Sequence, residues 1–476
     1  MKKVYRAHPL MILRFIKPFL FILILPVVKA VLQYLIDGKI EDVLGLEMLV
    51  FFAVVIFAGL RCLSFRLECC EDSVTIRTGF LFKRMAEIKI AKLSSVKTVQ
   101  NPLDYIFKAV NYQINTEAGA LGRPDFQFKL SIRDSREVSE LLYGAKAHTM
   151  HSFSAVKVAV MAAATSSAFT GMLIGVPIIN RAGKLLGLGL SEMLFNEINN
   201  VSSKIESYFP PIVNTVTLIF LLAYGVSFLY SFLKFINFKV FFGQDKFEVR
   251  SGLLTRTRTS FKKKSVNNVL IVQSPIMRII KRYAMKVSVG GFGEAKSESQ
   301  VMVPSGRYRE IMNGFSLYFP FLTPLGRTVF TNRTRQIRDR FLFLPALYLL
   351  LVIAASVVLA ILFTDFGRLI LFLSIVALCI VFYYAYICIF EYNNGKIMFG
   401  ENIFAKSARW LRTCELYCPK EKVGQIKITR FLLDMRQNTC RIRITVCSES
   451  ADSIRVRHLD YPTVIKEVYR EYNLYE

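Results

Sequence analysis

Uncharged apolar runs alternate along this chain with stretches dense in Lys and Arg, and the two textures divide it into segments. A helix needs about 20 mostly apolar residues to cross a bilayer. Six runs fit that reading: Phe15–Ile36, Met48–Leu63, Val156–Ile179, Ile212–Phe235, Phe341–Phe363 and Leu369–Phe390. They predict transmembrane helices in three pairs. In the third pair only Thr364, Asp365, Phe366, Gly367 and Arg368 intervene. The chain therefore enters and leaves that hairpin on one side.

The stretches between the pairs carry a strand pattern. Phe247-Glu248-Val249-Arg250 alternates, and strands are predicted over Arg256–Lys262, Val266–Val272, Ala284–Val289 and Gln300–Val303. Pro275 opens a short helix, Ile276–Lys281, since proline is tolerated in a first turn. Ser305 is the expected N-cap of a further helix whose apolar stripe is Tyr308, Ile311, Met312 and Phe315. Matching terminal helices are predicted at Asp134–Leu142 and Tyr461–Tyr472.

These segments repeat. Arg77-Thr78-Gly79-Phe80-Leu81 and Val99-Gln100-Asn101-Pro102-Leu103 recur as Arg250-Ser251-Gly252-Leu253-Leu254 and Val272-Gln273-Ser274-Pro275-Ile276, both at an offset of 173. A third copy is more diverged. Phe399-Gly400 matches Ser251-Gly252 at an offset of 148 and Ile428 matches Val272 at 156, which implies an insertion around Trp410–Lys420. Gly79, Gly252 and Gly400 are the expected turn glycines, and Pro102 and Pro275 the expected turn prolines. The fold class read from this is membrane α plus cytoplasmic β: three helical hairpins, each followed by a small antiparallel barrel with a C-terminal helix. The boundaries are a first transmembrane pair at 1–65, a first β domain at 66–146 and a second pair at 151–237. A second domain at 238–316, a basic linker at 317–340, a third pair at 341–390 and a diverged third domain at 391–476 complete the chain.

Charge orients the helices. The connection Asp37–Glu47 has a net charge of −3 and Asn180–Pro210 a net of zero, whereas Lys239–Arg340 holds 20 basic and 6 acidic residues. The basic side is read as cytoplasmic, with both termini inside. The whole chain carries a net +27, which nucleic acid, an acidic protein or anionic lipid could each answer. For a chain already in a bilayer, lipid headgroups are the simplest partner, and nucleic acid is not expected. The predicted spans hold no Asp, Glu or His, which weighs against a proton-coupled pump or an intramembrane protease. The nine cysteines include no CxxC pair and read as reduced thiols.

Helical hairpins followed by an Arg-x-Gly strand turn and a Val-Gln-Ser-Pro element resemble the bacterial pleckstrin-homology membrane proteins of the YdbS/YdbT type. The opening Arg6-Ala7-His8-Pro9-Leu10 is similar to the segment before the first span in that family. Three units match its longer members. The resemblance implies PH-like domains, no catalytic activity, no cofactor, and a role in envelope defence or protein assembly at the bacterial inner membrane. It also implies, as partners, self-association or a shorter single-unit relative.

Basic clusters are the leading candidate site: Arg256, Arg258, Lys262 and Lys264 on one predicted strand face, Lys281 and Arg282 after the proline turn, and Arg333 and Arg335 before the fifth span. They either orient the helices alone or face anionic headgroups, a contact worth about 1 kcal/mol per residue. Gly290-Gly291-Phe292-Gly293 reads as a hairpin tip, and His8, His148, His151 and His458 lack metal spacing. Leu185–Phe209 carries an amphipathic pattern suited to the outer membrane surface, as an anchor or as a contact for an external ligand such as an antimicrobial peptide. The expected function is a non-enzymatic scaffold or envelope-defence protein, with transport through the helical bundle as the alternative.

Overall fold

The structure, a computed structural model, describes residues 3–19, 44–80, 82–116, 124–143, 149–186, 190–205, 211–243, 245–289, 299–324, 326–330, 335–363, 367–447 and 453–472. Elements follow one another in an order that recurs along the chain. The first run is β1 (Lys3–Arg6), α1 (Met11–Ile16), α2 (Leu44–Leu63), β2 (Arg66–Cys69), β3 (Ser73–Thr78), β4 (Arg84–Lys89), β5 (Leu93–Gln100), α3 (Pro102–Ile106), β6 (Ala109–Thr116), β7 (Phe126–Ser131) and α4 (Ile132–Tyr143). Next come β8 (Thr149–Ser152), α5 (Ala155–Thr165), α6 (Ala168–Leu186), α7 (Leu190–Ile205), α8 (Pro211–Phe235), β9 (Lys239–Phe242), β10 (Lys246–Ser251) and β11 (Arg256–Lys262). They are followed by β12 (Val266–Gln273), α9 (Pro275–Ile279), β13 (Tyr283–Val289), β14 (Gln300–Gly306) and α10 (Tyr308–Tyr318). The last run is β15 (Gly326–Phe330), α11 (Arg335–Leu362), α12 (Gly367–Asn394), β16 (Lys396–Gly400), β17 (Asn402–Arg409), β18 (Arg412–Pro419), β19 (Val423–Thr429), α13 (Leu432–Arg436), β20 (Thr439–Val446), β21 (Ser453–Asp460) and α14 (Tyr461–Tyr472).

Details recur with the order. Lys108, Lys281 and Asn438 all take a left-handed backbone, at φ 53°, 52° and 49°, and they stand 173 and 157 residues apart. A β-bulge falls at the same place in three strands, between Leu93 and Ser95, Val266 and Asn268, and Val423 and Gln425. At these positions the offset into the last run is 157, so Val272 corresponds to Thr429 rather than to Ile428. Gly400 closes β16, one hairpin earlier than its sequence match to Gly252 required. The turn between Arg409 and Arg412 is made by Trp410 and Leu411, at φ 50° and 61°. Two positive φ values in a two-residue turn follow the right-handed twist of the strands. Aligned on their registers, the β17–β18 hairpin has one residue more than the β10–β11 hairpin, in place of the longer insertion the sequence match implied.

The chain divides into two compact units, the first chiefly up to Ser152 with Leu233–Ser265, the second chiefly Phe153–Phe232, Val266–Val289 and the C-terminal residues. In the first unit β1-β2-β3-β4 form a four-stranded sheet, and β7-β6-β5-β11-β10-β9-β8 form a seven-stranded one. Leu67, Val74 and Ile76 from the smaller sheet pack on Val96, Tyr112 and Phe128 of β5–β7, and Val138 and Leu142 of α4 close that core. In the second unit β14-β13-β12-β18-β17-β16-β15 form another seven-stranded sheet, and β19-β20-β21 form a three-stranded one. Its core joins Ile397, Phe399 and Leu416 to Ile442 and Val456, closed by Val464 and Val468 of α14. Each seven-stranded sheet is therefore composite, three strands from one run and four from the next.

Each helical segment interrupts a strand pair. β1 pairs with β2, β8 with β9 and β15 with β16, across the helices that separate them in sequence. The sequence reading grouped Lys3–Arg6 with the first helices and Gly326–Phe330 with a linker; both belong to sheets. Among the described residues three helices are long and apolar enough to cross a membrane: Val216–Phe235, Phe341–Leu362 and Ile370–Asn394. The segment predicted as one continuous span from Val156 is instead α5 and α6, bent by 93°. The break falls at Ser166–Ser167, where the Ser166 hydroxyl donates to the Ala162 carbonyl at 2.6 Å and the Ser167 amide donates to Ser227 Oγ at 3.2 Å. Serine pairs supply the hydrogen bonds that a broken helix needs in a membrane. A Cβ on Gly171 would lie 1.5 Å from the Ala223 carbonyl oxygen, so α6 and α8 touch backbone to backbone there. Most of the predicted first span, Phe15–Ile36, lies outside the described residues, as do the tip at Gly290–Gly293, His148 and Arg333.

A candidate anion groove at the end of a helix

The C-terminal end of α8 is tied to the β10–β11 hairpin. The Gly252 amide donates to the Ile236 carbonyl at 2.8 Å and the Leu253 amide to the Leu233 carbonyl at 3.0 Å. Gly252 sits at φ +101°, and a Cβ there would meet the Thr255 carbonyl oxygen at 2.0 Å. Gly79 repeats this in the β3–β4 turn, at φ +104° and 2.0 Å from the Phe82 carbonyl oxygen. Only glycine fits such a turn without strain.

Beside the tie lies an open groove of about 560 Å³ in the first unit. Its lining includes Thr98 and Gln100 of β5, Ser135 and Arg136 of α4, Asn237, Lys239, Arg250, Arg256 and Arg258. Three of the cations form one row across the sheet: Lys239 stands opposite Arg250, and Arg250 opposite Arg258. Like charges directly opposite one another destabilise a strand pair. Glu248, 7% exposed, answers part of that charge. Its carboxylate accepts from Arg250 Nε at 2.5 Å and from Arg258 Nη2 at 2.9 Å. Arg250 also lies over the Phe241 ring at 4.4 Å, and Arg256 over Tyr105 at 4.7 Å. Arg136, Lys239 and Arg256 remain to attract an anion. Around them Ile106, Phe107, Leu253 and Leu254 are exposed apolar side chains, Ile106 at 69%.

The second unit has a related cavity of about 900 Å³, with Phe341, Leu344 and Tyr384 of α11 and α12 on one wall and Arg409, Arg441 and Arg457 on the other. Arg457 reaches Glu391 at 3.5 Å and Arg441 reaches Asp434 at 3.4 Å. On α9 of the same unit, Arg278 lies 3.5 Å from the centroid of the Phe390 ring, near the end of α12.

The predicted basic residues are dispersed. Arg256 and Arg258 line the groove. Lys262 ends β11 and donates from Nζ to the Ile90 carbonyl at 2.7 Å. Lys264 falls in a 3-10 turn, Lys263–Ser265, so it does not share the strand face with the other three. Lys281 is exposed and Arg282 half-buried after α9, and Arg335 opens α11. Pro102 and Pro275 open α3 and α9, where the Met277 amide donates to Ser274 Oγ. Sequence reasoning missed Arg136, Lys239 and Arg250, because only the sheet register brings them together. All nine cysteines are free thiols.

No curated protein sequence matches the chain at a significant level. The family model of the bacterial PH domain does match, over residues 13–146 and 191–309. Those two regions make up more than half of the 476 residues, and the chain belongs to the bacterial PH domain family.

Proposed function

We propose that the chain is a non-enzymatic scaffold of the bacterial inner membrane, made of three tandem PH-like units. In this reading each unit is a seven-stranded fold with a terminal helix, and a helical hairpin is inserted after its first strand. The recurrence of element order, bulge and left-handed residue at offsets of 173 and 157 supports the third unit, which lies beyond the matched regions. In this reading the chain crosses the membrane six times, and the charge asymmetry of the connections supports a cytoplasmic side for the basic segments. The groove beside α8 seats the phosphate of an anionic phospholipid. What carries this is the cross-strand row of Lys239, Arg250 and Arg258, with Glu248 answering part of its charge, which starts four residues beyond the apolar helix ending at Phe235. Exposed Leu253, Leu254, Ile106 and Phe107 suit the acyl boundary around such a headgroup. A part in envelope defence rests on α7, whose amphipathic face suits the outer surface.

The test replaces the three cations that Glu248 does not hold, as Arg136→Gln, Lys239→Gln and Arg256→Gln in the full chain. At about 1 kcal/mol each, their loss weakens retention of phosphatidylglycerol by about 3 kcal/mol, roughly a hundredfold. Binding of a fluorescent phosphatidylglycerol to the purified protein in mixed micelles reads this. Equal affinity of the variant and the unsubstituted chain rules out the groove as a headgroup site.

A further inference from the structure

Both seven-stranded sheets are built by one junction. In the first, β5 pairs antiparallel with β11, and in the second, β12 pairs antiparallel with β18. β12 follows β5 by 173 residues, and β18 follows β11 by 157 residues when their registers are superposed. The chain thus makes the same edge-to-edge contact twice, each time between the last three strands of one run and the first four of the next. Two sheets are left incomplete. The four-stranded sheet ends at β4, the counterpart of β11 and β18, and the three-stranded sheet starts at β19, the counterpart of β5 and β12. Among the described residues β4 pairs only with β3, and β19 only with β20. Four and three strands make the seven that each internal sheet contains.

We propose that β19 of one copy of this chain pairs with β4 of another, so that the protein assembles head to tail in the membrane. Transferring the internal register by the two offsets sets Lys427 opposite Ala86 and Thr429 opposite Arg84, as Lys97 stands opposite Thr259 and Val99 opposite Thr257. Exposure fits an open contact. Thr259 and Leu416, the counterparts of Ala86, are 2% and 1% exposed, while Ala86 is half-exposed. Met85 is 62% exposed where its counterpart Glu415 is 2%. Arg84, Glu87 and Lys89 of β4 and Lys427 of β19 are charged, but so are Lys97, Arg256 and Arg258 on the two edges that pair within the chain. Neither β4 nor β19 contains proline, and the bulge at Val423/Gln425 recurs in β5 and β12, both of which are paired. The two edges are different surfaces, so the contact is heterologous and closes into a ring or runs on as an open chain. This is independent of lipid in the groove.

Cross-linking in native membranes tests it, with exposed Cys379 and Cys447 first replaced by serine. Cβ atoms directly opposite in an antiparallel pair stand about 5 Å apart, within reach of oxidation to a disulfide. A chain carrying Ala86→Cys and Lys427→Cys gives covalent products that extend beyond the dimer, and Arg84→Cys with Thr429→Cys gives the same set. Chains carrying only Ala86→Cys, co-expressed with chains carrying only Lys427→Cys, give dimers and nothing larger. Either single variant alone gives none. Lys97→Cys with Thr259→Cys, paired inside the chain, links within the monomer and shows that the chemistry works. The proposal is overturned if that control links while both double variants stay monomeric. A link closed within one chain, dimers from one single variant alone, or capture of a different polypeptide each overturn it as well.

Discussion

Glu415 offers a quantitative check on how the second composite sheet holds together. It lies on β18 opposite Ile271 of β12, 2% exposed, with Lys406 Nζ 2.8 Å from Oε1. The Tyr308 hydroxyl, on α10, donates to Oε2 at 3.2 Å. Removing one member of a buried ion pair costs about 3–5 kcal/mol, because the other charge stays buried and unanswered. Glu415→Gln keeps the shape and leaves an amide oxygen for Tyr308, so that hydrogen bond survives. Lys406 keeps 21% of its side chain exposed and recovers part of its hydration. The cost therefore falls at the low end, about 3 kcal/mol, or roughly two decades in the opening equilibrium of the strands around it. Hydrogen exchange measured on the full chain should show the amides of β17 and β18 exchanging about a hundredfold faster, with β2–β4 unchanged. Replacing the pair together, as Glu415→Leu with Lys406→Met, should recover most of the protection, since a well-packed apolar pair commonly equals a buried ion pair. Unchanged protection in Glu415→Gln would refute the argument, as would a double variant less protected than the single one.

Gly252→Ala forces a Cβ to within 2.0 Å of the Thr255 carbonyl oxygen at a left-handed φ. It should lower thermal stability by at least about 1–2 kcal/mol, while Gly225→Ala, with nothing within 4 Å of the added carbon, should not. Burial pushes the Tyr318 phenol up to about 12. Between pH 10 and 12 the unfolded chain then loses a proton that the folded chain keeps, so stability falls as pH rises, by up to about 3 kcal/mol. Tyr318→Phe should remove that share of the alkaline slope in denaturant titrations.

Local patterns were legible and long-range ones were not. The strand expected over Arg256–Lys262 is β11, and the helix expected at Tyr461–Tyr472 is α14, because alternation and helical stripes are written in neighbouring residues. The helix expected to start from a Ser305 N-cap has Arg307 at that position instead, since β14 runs on to Gly306. β1 and β8 span only four residues each and pair across a helical segment, so no window of the sequence reveals them. The same limit hid the groove. Arg256 and Arg258 stood out as neighbours on one strand, but Lys239, Arg250 and Arg136 join them only through registers among β9, β10 and β11 and the start of α4. The Gly400 match failed for a related reason: a two-residue turn can use Trp410 and Leu411 at positive φ, so the glycine that marks the turn elsewhere is dispensable there.

The strand pairs that flank the helices also constrain how the chain passes through the bilayer. Ser152 stands opposite Lys239, so residues 87 positions apart in sequence lie side by side in one sheet. A hydrogen-bonded strand pair cannot straddle a membrane, and the chain between its two strands must cross an even number of times. Between β8 and β9 the elements available are α5 and α6, bent by 93°, then the amphipathic α7, then the apolar α8. If α8 makes one crossing, a re-entrant loop of α5 and α6 would leave an odd count and strand β9 on the wrong side. On the proposed six-crossing reading the bent pair would be a broken span that goes fully across, with α7 on the far surface. Phe330 opposite Lys396 gives the same parity for α11 and α12. Labelling of cysteines introduced at Asn200 of α7 and at exposed Lys281 from opposite faces of the membrane is the arrangement this parity requires. Equal reactivity of both from one side would break it.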